Sequence, residues 1–342
     1  MVYHHIADVI SALPIAVLVI SAEDRVRATN PALEAILGPN LVGKHYISAL
    51  RQPGVVAAIT TLRAGGGGST VRFISRDGDR DTVYRVTVAP ADQDIVLSFE
   101  DQTAAEEAGK MRRDFVANVS HELRTPLTAL MGFIETLGGA ARNDPNARDR
   151  FLQIMEKEAA RMTRLVDDLL SLSRVEEDER VRPRAPLDVA ALLGSVIKAL
   201  EPQVAAANVT VALHNRSAGD LVPGDAGQLV QVFTNLVENA IKYGAAGGKV
   251  DVTIYAPADD LRLRCTAIQI AVADYGEGIE SHHIARLTER FYRVDSHRSR
   301  AVGGTGLGLA IVKHIVNRHR GRLQIESEIG KGTVFSIFLP IS

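Results

Sequence analysis

The sequence predicts a multidomain α+β protein, and three observations support this fold class. The 342 residues exceed the usual domain of about 100–150 residues by two to three times. Hydrophobic residues make up 46% of the chain and charged residues 23%, which is the composition of packed globular proteins. The pattern changes from strands to long helical stripes and then to a mixture of both. We therefore expect three domains, at 5–100, 101–178 and 183–340.

Charge and cysteine content limit the classes of function. Lys and Arg total 39 against 41 Asp and Glu, a net charge of −2, so no overall charge favours a nucleic-acid partner. The single cysteine, Cys265, excludes an intrachain disulfide and a multi-cysteine zinc site and fits a reducing compartment. The apolar run Ile15–Ile20 is far shorter than the roughly 20 residues that cross a bilayer. Asp8 interrupts the sequence of basic segment, apolar segment and cleavage site that is typical of a signal peptide. We expect a cytoplasmic chain with no transmembrane segment.

The first hundred residues are predicted to hold two strands, a helical middle and three further strands. Residues 16–21 and 25–29 form the first hairpin, and Asn30-Pro31 then caps a short helix. The three later strands are Thr70–Ser75, Thr82–Ala89 and Ile95–Glu100. This arrangement resembles a PAS sensor domain, which implies an antiparallel sheet. A plain α+β interaction module without a ligand is the alternative.

Two long amphipathic helices are predicted next. The first has apolar residues at Phe115, Val119, Leu123, Leu127, Leu130, Ile134 and Leu137. Pro126 lies inside it and should loosen it, so we expect a hinge just after position 121. The second has Phe151, Met155, Met162, Leu165, Leu169 and Leu172. A lone helical hairpin leaves its apolar seam uncovered, so we expect a homodimer whose hairpins form a four-helix bundle.

His121 lies about 200° around the helix from the apolar stripe, so its side chain should face solvent. An exposed histidine is most often inert, but the surrounding Ser120-His-Glu-Leu-Arg-Thr-Pro126 resembles the phosphoacceptor box of sensor histidine kinases. The resemblance implies that His121 accepts a phosphoryl group. Glu122 can hold the imidazole tautomer and accept its proton. Thr125, one turn further, is implied to position water for dephosphorylating a response regulator; back-bonding to the preceding turn is the alternative.

The last domain contains three separated elements with chemically useful residues. Gln231–Tyr243 places Asn235, Asn239 and Lys242 along one helix side, with Tyr243 next. The side-chain oxygen of asparagine can bind Mg²⁺, and the lysine ammonium can pair with the negative charge of phosphate. A polar helix face exposed to solvent is the alternative explanation for these four residues. Ala273–Gly278 follows a strand with an Asp-x-Gly-x-Gly pattern, which alone also fits a plain turn. Gly303–His314 runs from glycines directly into an apolar helix. The amides and the positive dipole end at the start of this helix favour the binding of phosphate.

In this order, these elements resemble the N, G1 and G2 boxes of the GHKL ATP-binding fold, an α/β sandwich, and Arg290–Asp295 resembles its F box. The resemblance to sensor histidine kinases covers residues 101–340. It implies that Asn239 binds Mg²⁺ and that Asp274 recognises adenine. The remaining ATP-binding residues that it implies are Asn235, Lys242 and Tyr243 at the phosphates, Gly276 and Gly278 in the G1 loop, Phe291 and Arg293 as lid supports, and Gly304, Thr305, Gly306, Leu307 and Gly308 in the lid.

Two departures from the family pattern stand out. Glu280–His283 occupies a place where the family often has a proline-acidic stretch, and Pro257–Arg264 lengthens the strand region before Asp274. The chain looks most similar to phosphate-regulon sensor kinases, partly because of the helix at Leu50–Ile59. Those kinases usually begin with membrane helices. We expect either a soluble version or a start further upstream, and phosphate-regulon signalling as one possibility.

The function expected from this resemblance is autophosphorylation of His121 from ATP with Mg²⁺, followed by transfer to an aspartate on the receiver domain of a response regulator. Dephosphorylation of that regulator is also expected. Two alternatives remain: a GHKL ATPase that drives a clamp, and a catalytically silent PAS scaffold. The chain would then be a transferase of a two-component regulatory system and itself a phosphoprotein.

Overall fold

The structure is a computed structural model that describes residues 9–77, 80–177, 181–217, 221–294 and 304–341. The chain forms two compact units, Met1–Ala117 and Asn118–Ser342. The three predicted domains, 5–100, 101–178 and 183–340, stay a prediction. Residues 5–8 and 178 of those ranges lie outside the described residues, as do Asp295 of the predicted F box and Gly303 of the predicted G2 box.

The first unit is built on a five-stranded antiparallel sheet in the order β2-β1-β5-β4-β3. Its strands are β1 (Ala16–Ile20), β2 (Val26–Thr29), β3 (Ser69–Asp77), β4 (Arg80–Ala91) and β5 (Asp94–Asp101). Three helices fill the connection between β2 and β3: α1 (Pro31–Leu37), α2 (Tyr46–Ala49) and α3 (Pro53–Arg63). The predicted order of two strands, a helical middle and three strands is confirmed.

Both faces of β1 are covered, which explains its unbroken apolar sequence. Leu18 and Ile20 point into the main core with α1 and α3, whereas Val17 and Val19 pack with Ile10 on the opposite face. Asn30 is the polar centre of this arrangement and is almost completely buried. Its side-chain oxygen accepts from Val17 N at 3.0 Å and caps α1 by accepting from the third residue after it, while its amide donates to three backbone carbonyls.

Two long helices follow, α4 (Thr103–Gly138) and α5 (Pro145–Glu177). α4 runs without interruption through Pro126, which is buried, so no break in the helix accompanies the expected hinge. One proline removes a single backbone donor, and the hydrogen bonds of the neighbouring turns hold the helix together. The stacked rings of Phe133 and Phe151, with centroids 5.3 Å apart, join the two helices within the second unit.

The rest of the second unit contains a mixed sheet in the order β12-β13-β11-β9-β7, with β10 on β11. Its strands are β7 (Thr210–Asn215), β9 (Lys249–Ile254), β10 (Ala258–Asp260), β11 (Cys265–Asp274), β12 (Arg322–Glu328) and β13 (Gly332–Pro340). β7 and β9 pair in parallel and the other pairs are antiparallel. A small separate sheet pairs β6 (Ala185–Asp188) with β8 (Leu221–Gly224).

The helices of this region pack against the mixed sheet and against one another. They are α6 (Val189–Ala199), α7 (Glu201–Ala207), α8 (Ala226–Gly244), α9 (Ser281–Ile284) and α10 (Gly308–Arg318). α8 contacts three of the strands as well as α6 and α10. Its apolar side chains, among them Phe233 and Leu236, are fully buried. The α/β architecture predicted for this region is confirmed.

Within the described ranges, a search for membrane-spanning helices found no single helix with enough length and apolar character. The bent pair of α6 and α7, which meet at 54°, passes the same test on length and composition alone.

Candidate functional site: an exposed histidine and two glycine-rich segments

His121 lies on the exposed side of α4, as its position relative to the apolar stripe predicts. Thr125 lies one turn further along and is also exposed. Its hydroxyl donates to the His121 carbonyl oxygen at 3.1 Å. This is the back-bonding that the sequence offered as the alternative to a catalytic role. The imidazole is therefore accessible, and Thr125 is engaged with the helix backbone.

Glu122 faces the second helix of the hairpin. Its carboxylate accepts a hydrogen bond from the Arg161 guanidinium at 2.7 Å, and Arg161 also lies 3.7 Å from Glu158. Adjacent residues on a helix point about 100° apart, so Glu122 turns toward α5 while His121 turns toward solvent. The sequence predicted Glu122 as the partner of His121; in this structure its carboxylate is directed at Arg161.

The polar side of α8 carries the residues predicted to meet phosphate and metal. Asn235 and Asn239 are half-buried, and Tyr243 is exposed. The Lys242 ammonium donates to the Glu238 carboxylate at 2.9 Å, an i,i+4 pair in the favourable order. Lys242 is thus held beside the two asparagines by a neighbour on its own helix.

Asp274 ends β11 and is buried. Burial raises the pKa of its carboxyl group, and a hydrogen bond from the Gly276 backbone amide, at 3.0 Å, opposes that rise. Gly276 is required by close packing, because a Cβ there would lie 2.5 Å from the Tyr243 carbonyl oxygen. The predicted G1 loop therefore sits directly against the end of α8, with Gly278 two residues further on in a left-handed conformation.

The predicted lid begins the helix α10. Phe291 N donates to the Gly306 carbonyl at 2.8 Å, so a predicted supporting residue touches the glycine-rich segment. Leu307 is fully buried, and Arg293 and Gly304 are half-buried. A Cβ on Gly308 would lie 2.9 Å from the Asn235 side-chain oxygen. Since only hydrogen fits there, the start of α10 can approach the polar side of α8 closely.

Helix α5 contacts the lid directly within the second unit. The Thr305 hydroxyl donates to the Asp168 carboxylate at 2.7 Å, and Ser171 donates to Gln231 of α8 at 2.8 Å. Burial raises the pKa of Asp168, and the Thr305 hydrogen bond opposes the rise. Further along α5, Glu176 pairs with Arg290. The lid and the F-box segment are therefore fastened to the helical hairpin.

A polar cluster on strand β9 lies beside the G1 loop. Asp251 on β9 accepts from Lys249 at 2.7 Å, from the Tyr275 hydroxyl at 2.7 Å and from His214 at 3.1 Å. Burial on its own would raise the pKa of Asp251, but the three hydrogen bonds outweigh it and hold the pKa at about 2. Tyr275 lies between Asp274 and Gly276, so the cluster anchors the G1 loop next to Asp274.

Two family models match the chain. Residues 111–178 match the His Kinase A (phospho-acceptor) domain, and residues 224–342 match the histidine kinase-, DNA gyrase B- and HSP90-like ATPases. Together they span more than half of the 342 residues. The chain belongs to the sensor histidine kinases. The second match implies the use of ATP.

Curated relatives agree with this family. The phosphate regulon sensor protein PhoR of Pseudomonas aeruginosa is 43% identical over 242 residues, which are 70% of this chain and 53% of that protein. The sensor-like histidine kinase SenX3 of Mycolicibacterium smegmatis is 39% identical over 72% of this chain and 62% of its own length. The chain thus spans little more than half the length of these relatives. A phosphate-regulon sensor is among them, in line with the similarity read from the sequence.

Solved histidine kinases share the fold. The Acinetobacter baumannii histidine kinase AdeS is 26% identical, with a TM-score of 0.50 over 65% of this chain and 98% of that one. Histidine kinase ThkA in complex with response regulator protein TrrA covers 98% of both chains with a TM-score of 0.52 at 21% identity. Neither family model matches the first hundred residues, so the PAS assignment of the antiparallel sheet stays a prediction.

Several residues of this histidine kinase's site were missed by sequence reasoning. Arg161 and Asp168 contact predicted site residues from 39 and 137 positions away, and no local pattern indicates such partners. Glu238 could have been found, because an i,i+4 carboxylate–lysine pair is visible in the sequence. Asp251 also escaped notice, since its alternating strand position is equally typical of a solvated face.

Proposed function

We propose that this histidine kinase transfers the terminal phosphoryl group of ATP to His121 and then to an aspartate of a response regulator. The observation that carries the proposal is the exposure of His121 on a helix that matches the phospho-acceptor family, in one chain with a region that matches the ATPase family. A nucleophile that is to meet a separately bound nucleotide must be accessible. Histidine suits this task because its neutral ring is abundant at physiological pH.

The residues of these elements suit a nucleotide. Glycine at 276 and 308 lets the G1 loop and the start of α10 pack closely against α8, which brings their backbone to the polar side of that helix. The start of α10 offers backbone amides that have no partner within the helix, and the positive end of the helix dipole, for phosphate. Asp274, buried at the strand end, can accept from an amino group of adenine. Asn235, Lys242 and Tyr243 lie on the side of α8 proposed for the phosphates.

Asn239 is the proposed Mg²⁺ ligand. Asn239 is half-buried on the polar side of α8, and a hard cation prefers amide oxygen donors together with phosphate and water. When bound, the ion would neutralise the charge that develops on the transferred group. Lys242 must exchange its hydrogen bond with Glu238 for one with phosphate, which replaces one charged partner by another.

In the transfer step, one imidazole nitrogen of His121 forms a bond to the terminal phosphorus as the bond to ADP breaks. The proton on the other nitrogen then leaves for a base. Glu122 is the proposed base, and it must first turn from Arg161, to which it is hydrogen-bonded. Thr125 is the proposed residue for positioning water during dephosphorylation of the regulator. For that role its hydroxyl must leave the His121 carbonyl.

We further propose a homodimer and a receiver-domain partner. Leu127, Met131 and Ile134 of α4 are each at least half exposed in the single chain, and apolar stripes of this kind mark interfaces. The ThkA structure contains a response regulator, which supports the same class of partner for this chain. The aspartate of that partner would receive the phosphoryl group.

The sensory part of the proposal concerns the first unit. Its antiparallel sheet with a helical middle supports a PAS-type sensor, and similarity to a phosphate regulon sensor supports a role in phosphate-regulon signalling. A need for ATP and a single unpaired cysteine support a cytoplasmic location for these regions.

Labelling with γ-³²P-ATP and Mg²⁺ tests the proposal. The wild-type chain should acquire acid-labile label, and His121→Ala should acquire none while still binding a fluorescent ATP analogue. His45→Ala, a change at an exposed histidine of the first unit, is the matched control and should label normally. Label that survives on His121→Ala would refute the acceptor. ATP hydrolysis without any labelled protein would indicate a GHKL ATPase, and failure to bind the analogue a silent scaffold.

A further inference from the structure

A compact group of metal-ligating side chains lies between the G1 loop and the F-box segment. Glu280, His282 and His283 each offer one ligand atom, and these three atoms all lie within 4.8 Å of one another. Glu280 and His282 are exposed and His283 is half-buried, so an ion can enter from solvent. This is also a place where the sequence departs from the family pattern, and the proposed kinase mechanism does not use it.

The distances within the group match the spacing of ligands around one ion. His282 Nδ1 lies 3.2 Å from the Glu280 carboxylate oxygen. Two donors bound tetrahedrally to zinc at about 2.0–2.1 Å are about 3.3 Å apart. The rings of His282 and His283 are also close, with centroids 3.8 Å apart. Small side-chain adjustments would therefore bring the three donors onto one centre.

A hydrogen bond already orients one of the three ligands. His283 Nδ1 lies 2.5 Å from the Tyr292 hydroxyl, which leaves Nε2 as its available donor atom. Metal-ligating histidines commonly use their second nitrogen in this way, because the contact fixes the ring orientation and the tautomer. Arg286 stacks over the Tyr292 ring at 4.2 Å and pairs with Glu289, so its guanidinium is engaged by these two neighbours.

An ordinary ion pair explains the group less well. A pair between an exposed carboxylate and an exposed histidine contributes little stability, and it gives no reason for a second histidine ring 3.8 Å away.

We propose that Glu280, His282 and His283 bind a divalent transition metal of the zinc class, with water completing the coordination. Two imidazoles and one carboxylate are a borderline donor set, which favours Zn²⁺ and its neighbours over Mg²⁺. The site is thus chemically distinct from the proposed Mg²⁺ ligand Asn239. Through His283 and Tyr292, the bound ion would also fasten α9 to the F-box segment that touches the lid.

Zinc titration of the metal-free full-length chain against a chromophoric chelator tests the site. We expect one Zn²⁺ per chain at this group, unaffected by millimolar Mg²⁺. His283→Ala and Glu280→Gln should each weaken that binding at least tenfold. Tyr292→Phe should keep the stoichiometry but lower the affinity about tenfold to a hundredfold, since it removes only the orienting contact. Co²⁺ substitution should give the visible absorption of a four-coordinate N/O site.

The chain offers a matched control in its other adjacent histidine pair, His4 and His5. The double variant His4→Ala/His5→Ala should leave the assigned Zn²⁺ affinity unchanged. Zinc binding that disappears in this control, or that survives unchanged in His283→Ala, would overturn the proposal. Thermal unfolding of each variant without metal separates a lost ligand from a misfolded chain, and His282→Gln, which alters a mostly exposed side chain, provides an independent ligand removal.

Discussion

Two amphipathic helices, α8 and the part of α4 from Asn118 onward, differ in how their apolar stripes are covered. On α8, Phe233 and Leu236 are completely buried between the sheet and its neighbouring helices. On α4, Leu127 is 50% exposed and Ile134 is 58% exposed. The region that matches the ATPase family, residues 224–342, is called the nucleotide region below, and it encloses its core within one chain. The hairpin instead leaves an apolar stripe on α4 exposed, which a second copy of the chain would cover. Stability in the two regions should respond differently to mutation and to protein concentration.

The largest effect is expected in the core of the nucleotide region. Phe233→Ala removes a fully buried ring and should lower the free energy of unfolding by about 3–5 kcal/mol. Urea denaturation at two protein concentrations measures this loss, which should be the same at both because the core lies within one chain. Val230→Ala, on the same helix with a side chain 38% exposed, is the control and should cost about 1 kcal/mol or less.

Asp251→Asn tests how much the hydrogen-bonded Asp251 cluster stabilises the same region. The pKa of Asp251 in the folded chain is about 2, against an ordinary value of 3.8. Ionised Asp251 therefore adds stability above its ordinary pKa, about 2 kcal/mol at pH 7, and this contribution is lost as the pH falls toward 2. Urea unfolding at pH 7 and pH 3 measures the difference in free energy of unfolding between wild type and variant. This difference should be about half as large at pH 3 as at pH 7.

The comparison for that measurement is Asp149→Asn, which changes a carboxylate that is 70% exposed. This variant should unfold like the wild type at both pH values, within about 0.5 kcal/mol. If the stability difference between wild type and Asp251→Asn stays constant with pH, then Lys249, Tyr275 and His214 do not stabilise the ionised form of Asp251.

Local signals account for the parts of the molecule that the sequence predicted. The cap at Asn30, the stripe on α8 and the strand that ends at Asp274 each follow from residues within one element. The same is true of the exposure of His121, which depends only on helical phase. These features need no knowledge of what packs against them.

Contacts between elements account for what the sequence could not predict. Glu122 was assigned to His121 because the two are adjacent, but the register of the hairpin brings Arg161 to it instead. Leu165 and Leu172 were read as part of the hairpin seam. Both are buried on α5, a helix that packs against α10 of the nucleotide region. A stripe indicates that a face is covered and does not identify the element that covers it.

Leu127→Ala tests the uncovered seam of the hairpin. Because its side chain is half exposed in one chain, the variant should lose little stability as a monomer but weaken the dimer by about 1 kcal/mol for each chain. Sedimentation equilibrium measures the dimer constant, and the loss of unfolding stability should grow with protein concentration. Thr128→Ala, at the next exposed position of α4, should leave dimerisation unchanged. An unaltered dimer in Leu127→Ala would exclude this face as the seam.

The smallest effect concerns the polar contact across the hairpin. Glu122 and Arg161 are 28% and 14% exposed and lie 2.7 Å apart, so a double-mutant cycle with Glu122→Gln and Arg161→Met should give a coupling of about 1 kcal/mol. The exposed pair Arg148–Asp149, 3.7 Å apart, should give a coupling near zero. If Arg161 holds Glu122 away from His121, Arg161→Met should also speed labelling of His121, whereas Glu122→Gln should slow it. Equal slowing by both changes would mean that Arg161 supports the transfer, and that the observed pairing is part of the reactive arrangement.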